Sequence, residues 1–435
     1  MGRPPANAPL NVFLNARLAG VLRRESSGAI DFRYDPQWLS WGSTFPISLS
    51  LPLREDRYIG APVIAVFDNL LPDSEPIRRR VAERVGANGT DAYSMLAALG
   101  HDCVGALQFL PQGVDPGTAG KVEGKSVSPS EVADIIQNLA LAPLGMGEDD
   151  DFRISIAGAQ EKTALLRRDG KWYKPTGTTA TTHILKPQIG RLPNGIDLSN
   201  SVENEYLCLK LLTALGVPAA NVEIADFGKR RTLIVERFDR RWTNDKRLIR
   251  LPQEDCCQAL SVPSTRKYQS DGGPTMKDIL LLLKGGDAPQ EDLATFLRAS
   301  IVFWLIGATD GHAKNFSIFL GPSGRYRLTP LYDVLSAQPS LDAKKIQRKA
   351  FKLAMSVGKN RHYEVNEILP HHFIQTAEAS GVGARMVHAI FKDLVENFET
   401  AFAKVEKALP KGFPEALPNS IRTAAIQRLK FTSDT

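Results

Sequence analysis

Apolar residues in the first 250 positions fall mainly into short alternating or continuous runs bounded by Gly, Asp and Pro, which is typical of β-strands. The strands predicted in this way cover residues 10–14, 29–34, 48–53, 105–110, 153–156, 163–167, 171–174, 182–186 and 232–238. Longer stretches with helical periodicity predict helices over residues 75–85, 129–141, 204–215, 292–305, 384–402 and 420–430. A strand-rich half is therefore followed by a helix-rich half, a plan that many unrelated α+β proteins share.

The segment 112–128 is rich in Gly, Ser, Pro and charged residues, so we interpret it as a surface linker. It ends at Ser128-Pro129-Ser130-Glu131, an S-x-x-E capping box with Pro129 at the first helical position. These boundaries predict four regions. They are an α/β subdomain at residues 1–111, a linker and helix at 112–150, a strand-rich core at 151–251 and a helical region at 252–435.

The length of 435 residues is large for one hydrophobic core and indicates more than one domain. The net charge of +6 permits an anionic partner, such as nucleic acid or a nucleotide, without demonstrating one. Two dense basic clusters, Arg78-Arg79-Arg80 and Arg240-Arg241, are interpreted as solvated helix or loop faces.

The cysteines and apolar runs bear on the compartment. The 4 cysteines lack metal-ligand spacing, and the adjacent Cys256 and Cys257 make a poor disulfide pair, so we expect reduced thiols in a cytoplasmic protein. The longest apolar run, residues 299–308, is about half of a membrane span. The first residues lack the apolar core of an export signal, so no export signal is evident. Because the longest apolar run is so short, we expect no membrane partner.

Polar residues cluster directly after the apolar helix predicted over residues 292–305. Asp310 and Asn315 stand there in the spacing D-x-x-x-x-N, with His312 and Lys314 between them. In phosphoryl transfer this spacing supplies an Asp near the acceptor hydroxyl and an Asn on Mg²⁺. The spacing also occurs by chance, but so many polar residues after an apolar helix would be costly to bury without a function.

Asp333 follows an apolar element at residues 316–320, a Gly-containing turn and a second short strand at 326–328. A hairpin of this kind would bring Asp333 back beside Asn315. Hard oxygen ligands on two neighbouring segments suit Mg²⁺. The alternative is that Asp333, after Pro-Leu-Tyr, caps a helix.

Lys186 is the candidate cation for a bound phosphate. Thr182, Ile184 and Lys186 alternate onto one face of a predicted strand, as a phosphate-pairing lysine would, although a solvated edge lysine is an equal alternative. Glu205, on the next helix, could pair with Lys186 or be an ordinary exposed carboxylate.

Two further segments are candidates for nucleotide contacts. The segment 155–163 is rich in small residues, and its backbone amides could cradle phosphates. It holds one glycine and fits neither G-x-G-x-x-G nor a Walker A motif, so a plain turn is the first interpretation. Val235-Glu236-Arg237-Phe238 could be a hinge whose backbone reads adenine, with a buried strand end as the alternative.

Several segments together resemble one family, the HipA toxins. They are FRISIAGAQEKTALL (152–166), THILK (182–186), VERFDRRW (235–242), LPQED (251–255), the stretch 304–317 with ATDGHAKN, and the N-terminal SLSLPL (48–53) and FDNLLPDS (67–74). The resemblance runs in order over almost the whole chain, so it is far more specific than any single motif.

The resemblance implies an α+β, bilobal protein-kinase-like fold with a strand-rich N-terminal lobe and a mainly helical C-terminal lobe. It further implies an ATP- and Mg²⁺-dependent serine/threonine kinase that is the toxin of a type II toxin–antitoxin pair. The expected partners are a small helix-turn-helix antitoxin, HipB, and operator DNA, for which the pair acts as a repressor. The expected substrate is glutamyl-tRNA synthetase, whose phosphorylation would arrest translation and growth and give persistence.

By matching position, the resemblance makes Asp310 the catalytic base and places Mg²⁺ on Asn315 and Asp333. The residues that it implies for ATP binding are Ile156, Ala157, Gly158, Ala159, Gln160, Glu161, Lys186, Glu236, Arg237, Phe238, His312, Ala313, Lys314, Asn315, Tyr332 and Asp333. Ser155 matches the family's autophosphorylated serine, where a phosphate adds roughly two negative charges that would repel ATP. The alternative for Ser155 is a strand residue hydrogen-bonded in a turn.

One place departs from the family pattern. Glu378 and Gly381 stand where a relative has a Lys and an Arg that touch operator DNA, so contact with DNA is expected mainly through the antitoxin. Two rival functions remain open: a corepressor without turnover, and a kinase for a small metabolite. The complete set of Asp310, Asn315, Asp333 and Lys186 argues against the corepressor, because binding alone does not need all of them.

Overall fold

The computed structural model describes residues 8–139, 157, 160–191 and 197–431. The strands in chain order are β1 (Leu10–Leu14), β2 (Arg17–Arg24), β3 (Ile30–Tyr34), β4 (Tyr58–Ile59), β5 (Leu107–Pro111), β6 (Gly124–Val127), β7 (Thr163–Arg168), β8 (Lys171–Pro175), β9 (His183–Pro187), β10 (Gly190–Arg191), β11 (Asp197–Leu198), β12 (Val222–Phe227), β13 (Arg230–Glu236), β14 (Arg240–Trp242), β15 (Leu248–Arg250), β16 (Gln253–Asp255), β17 (Ser317–Leu320), β18 (Tyr326–Leu328), β19 (Lys352–Val357) and β20 (His362–Glu364).

The α-helices in chain order are α1 (Pro36–Leu39), α2 (Ala61–Asp68), α3 (Glu75–Val85), α4 (Ala92–Leu99), α5 (Pro129–Gln137), α6 (Ser201–Ala214), α7 (Cys256–Ala259), α8 (Met276–Lys284), α9 (Pro289–Ile306), α10 (Gln338–Asp342), α11 (Pro370–Ala379), α12 (Ala384–Lys407) and α13 (Ala416–Lys430). They belong to two compact units. Unit 1 comprises Met1–Pro187, Asp226–Thr265 and Ile318–Tyr326, and unit 2 comprises Gln188–Ala225, Arg266–Ser317 and Arg327–Thr435.

The first sheet of unit 1 has five antiparallel strands in the order β4-β3-β2-β1-β5. Three fully buried aromatic rings fix α2 against this sheet. Phe67 of α2 lies between Phe32 and Phe109, with ring centroids 5.7 and 5.4 Å away in edge-to-face geometry.

The second sheet of unit 1 runs β13-β9-β7-β8-β6. Its strand β9 lies between β7 and β13, so that Leu185 faces Thr163 of β7 and Lys186 faces Leu233 of β13. Lys186 is 6% exposed. It is therefore not the solvated edge lysine that was the alternative for this position.

The core of unit 2 forms around α9, whose last turns are almost entirely buried. Trp304 of α9 packs on Phe373 of α11 and Phe391 of α12, with ring centroids 5.7 and 6.4 Å away. Among the described residues, no helix combines the length and the apolar character that crossing a bilayer would need.

Two predictions about the N-terminal half are wrong in the structure. Residues 48–53 form turns rather than a strand, because Ser48 and Ser50 hydroxyls bond the Gln258 carbonyl and the Leu49 amide bonds the Glu254 carboxylate. The segment 112–128 is not only linker, since its end forms β6, which pairs with β8. The capping box at Ser128 is confirmed.

The prediction of solvated faces is also wrong for Arg240 and Arg78, although Arg241 is exposed as predicted. Arg240, with Arg237 and Arg250, surrounds Asp102 in a buried cluster that also contains Asp239; we call these five residues the ion cluster. Arg78 is largely buried and pairs with Asp68 at 2.7 Å, whereas Arg79 is exposed as expected.

The ion cluster holds charge that burial alone would disfavour. Burial would raise the pKa of Asp102, but the guanidiniums of Arg240, Arg250 and Arg237 outweigh it and hold this pKa well below its usual range. Burial and repulsion by Arg237 lower the pKa of Arg240 to about 10. The 4 cysteines are buried and unbridged, as expected.

Candidate functional site

The loop that carries Asp310 begins where α9 stops. Gly307 ends the helix in the left-handed conformation, at φ 68°, and the Ala308 amide donates back to the Phe303 carbonyl at 2.8 Å. A Cβ at Gly307 would lie 2.6 Å from the ring of Phe351, so only glycine fits here. The turn releases the chain from a buried helix directly into the polar loop.

The Asp310 carboxylate is accessible and oriented. Its side chain is 60% exposed. The Tyr268 hydroxyl donates to Asp310 Oδ1 at 2.6 Å, and His312 Nε2 lies 4.0 Å from the same oxygen. The Tyr268 ring stands edge-on to the buried His312 ring at 4.9 Å. An exposed carboxylate held in one orientation is what a base acting on an approaching hydroxyl requires.

Asn315 folds back onto the start of the loop. Its Nδ2 donates to the Asp310 carbonyl at 2.8 Å, so the amide oxygen Oδ1 faces the opposite direction. Among the described residues, none donates a hydrogen bond to this Oδ1. The residue is 8% exposed, and an amide oxygen turned away from its own loop is a hard donor of the kind that Mg²⁺ takes.

The hairpin predicted after the loop is present and returns the chain to it. The Thr329 amide donates to the Ser317 carbonyl at 2.9 Å. The Tyr332 hydroxyl then donates to the Lys314 carbonyl at 3.0 Å and contacts Ser317 Oγ at 2.5 Å. Tyr332 therefore anchors the segment that carries Asp333 against the residue that precedes Asn315.

Asp333 itself adopts a left-handed backbone conformation, with φ 59°. Residues other than Gly reach this region at a cost, and Asp tolerates it better than most. The Leu331 amide donates to the Pro218 carbonyl and the Leu331 carbonyl accepts from the Ala220 amide, both at 2.8 Å. These bonds hold the chain on one side of Asp333, so the strained residue is held in place.

The other side of Asp333 is tied to α6 and α9. Asn204 of α6 donates to the Ser336 carbonyl and accepts from the Ser336 amide, each at 2.8 Å. Ser336 Oγ donates to the Ile306 carbonyl at 2.5 Å, and the Ala337 amide donates to the Gly307 carbonyl at 2.8 Å. The segment after Asp333 and the helix end before Asp310 are thus bonded to one another.

The predicted site residues of unit 1 are only partly within the described residues; Ser155, Ile156, Gly158 and Ala159 lie outside them. Gln160 Nε2 donates to the Pro187 carbonyl at 3.0 Å, which ties this segment to the residue after Lys186. Glu161 pairs with Arg80 at 2.8 Å, and the Lys162 ammonium donates to the Ala157 carbonyl. Glu205 lies in α6 of unit 2 and is buried rather than an exposed carboxylate.

In the segment 236–238 the backbone and the side chains make different contacts. Its backbone follows β13, and the Arg237 amide donates to the Thr182 carbonyl at 2.9 Å. The Arg237 side chain instead belongs to the ion cluster, where it bonds Asp239 and Thr181. The Phe238 ring stands edge-on to Phe319 at 5.9 Å.

Sequence reasoning missed Tyr268 and the Asn204–Ser336 pair. Tyr268 precedes Asp310 by 42 positions, in a region without a motif. Asn204 and Ser336 are 132 positions apart. No local signal marks either contact, because each forms only when distant segments meet.

Comparisons with known proteins identify the family of the chain. A family model described as "HipA-like C-terminal domain" matches residues 154–402, and one described as "HipA N-terminal domain" matches residues 10–110. A Sinorhizobium fredii protein named "Putative kinase Y4mE" is 36% identical over 401 residues, which cover 91% of each chain. The "Serine/threonine-protein kinase toxin HipA" of Shewanella oneidensis is 27% identical over 87% of this chain and 84% of that protein.

A solved structure of the Shewanella oneidensis HipA toxin with HipB and operator DNA matches with a TM-score of 0.79 and 25% identity. It covers 98% of this chain and 97% of that one. This likeness confirms the α+β, protein-kinase-like fold that the sequence predicted. The chain therefore belongs to the HipA family of serine/threonine-protein kinases.

Proposed function

We propose that this kinase transfers the γ-phosphoryl group of ATP to a protein hydroxyl with Asp310 as the base. The observation that carries the proposal is the Asp310 carboxylate, which is 60% exposed and held by Tyr268 at 2.6 Å. Phosphoryl transfer depends mostly on positioning and charge neutralisation. An oriented carboxylate can accept the proton of the acceptor hydroxyl as the new O–P bond forms.

Asn315 and Asp333 are the proposed ligands of Mg²⁺. Their oxygens are hard donors on two segments that the Tyr332–Lys314 hydrogen bond keeps together. When bound, the metal would neutralise charge on the phosphates. The nearby Lys314 and His312 side chains are both buried, so their place in the loop is fixed before any nucleotide arrives.

The residues of unit 1 have proposed roles as well. The Lys186 ammonium, on a central strand and 6% exposed, would pair with ATP phosphates. The backbone of 236–238 would read adenine, with Arg237 contributing at most its carbonyl, because its amide bonds Thr182 and its guanidinium is engaged in the ion cluster. The remaining nucleotide contacts would come from Ala157, Gln160 and Glu161 together with Ile156, Gly158 and Ala159.

We further propose that the kinase acts in the cytoplasm as the toxin of a toxin–antitoxin pair. The named toxin that is 27% identical, and the solved complex of a HipA with HipB and operator DNA, support this role. The partner would be a HipB-type helix-turn-helix antitoxin, with repression of the operon exerted through it. Glu378 is exposed on α11 and Gly381 follows that helix, so this surface offers no cation for a DNA phosphate at those two positions.

Glutamyl-tRNA synthetase is the proposed substrate, and its phosphorylation would arrest translation and lead to persistence. Ser155 is the proposed site of autophosphorylation. Roughly two added negative charges there would disfavour ATP's phosphates and switch the kinase off.

The test is phosphate incorporation from labelled ATP and Mg²⁺ into the chain itself and into glutamyl-tRNA synthetase. Asp310→Asn and Asp333→Asn should each lower the rate by roughly 10²–10⁴-fold, and Ser155→Ala should remove only the self-incorporated phosphate. Asp245→Asn, at a carboxylate 59% exposed in unit 1, is the matched control and should keep full activity.

Three results would contradict the proposal. Full incorporation by Asp310→Asn would exclude the base role. A wild-type chain that binds antitoxin yet incorporates no phosphate would favour the corepressor. Transfer to a small metabolite with neither protein labelled would favour the metabolite kinase.

A further inference from the structure

Unit 2 contains a cavity of about 800 Å³ that the catalytic loop does not use. It lies between α10, the segment that follows α10, residues 365–368 and α13. None of the described residues that we place in the kinase site lines it. Its walls include Leu341, Ile346 and Ile368, and its size falls within the range of about 300–1,000 Å³ of small-molecule sites.

The charged side chains that line this cavity are mostly cationic. Among the described residues that line it, four carry a cationic side chain, Lys344, Arg348, Arg428 and Lys430, and one, Asp342, carries a carboxylate. That carboxylate is engaged by neutral donors, since Oδ1 accepts from Gln338 Nε2 at 2.8 Å and Oδ2 from Ser420 Oγ at 2.6 Å. The electrostatic potential inside such a cavity favours an anion.

Arg428 is a buried cation of this lining. It is 7% exposed, yet its guanidinium donates only to neutral acceptors, the Leu305 carbonyl at 2.7 Å and Gln338 Oε1 at 2.6 Å. No carboxylate among the described residues forms an ion pair with it. Burial lowers the pKa of Arg428 to about 10, and the more distant Asp342 offsets this only in part. A buried cation without a counter-ion is costly, and an anion in the cavity would relieve that cost.

Lys344 and Arg348 line the cavity in the same chain segment as Ile346. Both side chains are exposed, and neither forms an ion pair with a described carboxylate. Phe431, which follows α13, also lines the cavity and is 51% exposed. The lining therefore combines exposed cations with an aromatic side chain.

We propose that this cavity binds a phosphorylated small molecule with an aromatic or similarly flat apolar body. The phosphate would lie among Arg428, Arg348 and Lys344, since guanidinium groups match phosphate geometry and several cations match a dianion. The apolar body would pack against Phe431, Leu341 and Ile346. A nucleoside monophosphate and a non-nucleotide aryl phosphate share this chemistry.

The test measures binding of naphthyl phosphate to the full chain by calorimetry, with a non-hydrolysable ATP analogue saturating the kinase site. Naphthol, which lacks the charge that the cations would bind, and inorganic phosphate, which lacks the apolar body, should each bind at least about tenfold more weakly. AMP is the further arm. If AMP binds more tightly than naphthyl phosphate, the site is assigned to nucleotides. If AMP binds more weakly, the site is assigned to other aryl phosphates, and either result supports the proposal.

The chain supplies a matched control for charge. Lys344→Glu with Arg348→Glu reverses two cations that line the cavity, whereas Lys345→Glu with Lys349→Glu reverses two exposed cations of the same segment that do not. The first pair should weaken binding by about tenfold or more and the second by less than about twofold. All four side chains are exposed, so both double variants should melt close to the wild-type temperature.

Three outcomes would overturn the proposal. Equal weakening by the two double variants would mean attraction by surface charge alone. Competition by the ATP analogue would place the probe in the kinase site. No binding of naphthyl phosphate or AMP would show that the cavity does not recognise this chemistry.

Discussion

The Tyr268 hydroxyl donates a hydrogen bond of 2.6 Å to Oδ1 of Asp310. This bond holds one oxygen of a carboxylate whose side chain is 60% exposed. The same Tyr268 ring packs edge-on against His312. Tyr268 thereby orients the candidate base without belonging to any motif of the loop.

Replacing Tyr268 by Phe tests this orientation. We expect kcat for phosphoryl transfer to fall by about three- to tenfold, because the Asp310 carboxylate loses the hydrogen bond from Tyr268. A hydrogen bond to a charged group contributes about 1.5–3 kcal/mol, and the solvent exposure of Asp310 reduces that contribution. The KM for ATP should not change, since Tyr268 is not placed at the nucleotide. Steady-state kinetics separate the two quantities.

The control for that substitution is Tyr363→Phe, at a tyrosine of β20 in the same unit. It should leave both constants at their wild-type values. An unchanged kcat in Tyr268→Phe, or an equal loss in Tyr363→Phe, would show that the hydrogen bond to Asp310 does not orient the base.

Asn204→Ala should loosen the segment behind Asp333. It removes both 2.8 Å hydrogen bonds to Ser336 and leaves a buried amide and carbonyl unpaired. We expect the free energy of unfolding to fall by roughly 2–4 kcal/mol, and phosphoryl transfer to fall more than this loss of folded protein explains. Denaturant unfolding and specific activity of the folded fraction measure the two effects.

Asn200→Ala, at the exposed N-cap of the same helix, has no side-chain capping bond to lose and is the comparison. Equal stability of the two variants would argue that the Ser336 bonds contribute little.

Asp102→Ala should severely destabilise unit 1. The substitution leaves Arg237, Arg240 and Arg250 buried around a missing anion. Breaking a buried ion pair from one side costs about 3–5 kcal/mol. Asp245→Ala removes an exposed pair with Arg247 and should cost less than about 1 kcal/mol. Chemical denaturation of both variants checks the difference, and similar values would contradict the role of the ion cluster.

Glu254 gives a pH dependence with a defined sign. Burial raises the pKa of this carboxyl from 4.5 to about 8, against the opposing effect of the Leu49 amide that donates to it. The folded state therefore holds a proton that the unfolded chain releases. The resulting stability is fully present below pH 4.5 and is lost as the pH rises through about 8.

Glu254→Gln removes this titration. The difference in unfolding free energy between wild type and Glu254→Gln should fall with rising pH by up to about 1.4 kcal/mol per pH unit. Urea unfolding between pH 4.5 and about pH 8 measures this difference in unfolding free energy. Glu55→Gln, at an exposed carboxylate of the same unit, should run parallel to wild type. A pH-independent difference for Glu254→Gln would exclude a raised pKa.

Much of the local structure follows from the sequence. The capping box at Ser128, the helix Glu75–Val85 and the strand Leu10–Leu14 form as predicted, because their signals lie within a few neighbouring residues. The turns at residues 48–53 do not, since side chains from residues about 200 positions away supply their hydrogen bonds. The four predicted regions stay a prediction, as do the individual roles of the nucleotide-contacting residues.

The sequence by itself determined the spacing of Asp310 and Asn315, the hairpin that returns the chain at Asp333, and the family, because these are encoded in contiguous residues. Only the tertiary structure decided that Arg240 is buried rather than solvated. The burial of Arg240 depends on Asp102, 138 positions away, because the negative charge of Asp102 compensates the buried guanidinium. Tyr268 reaches Asp310 for the same reason, since hydrogen bonds between distant segments leave no periodic trace in the chain.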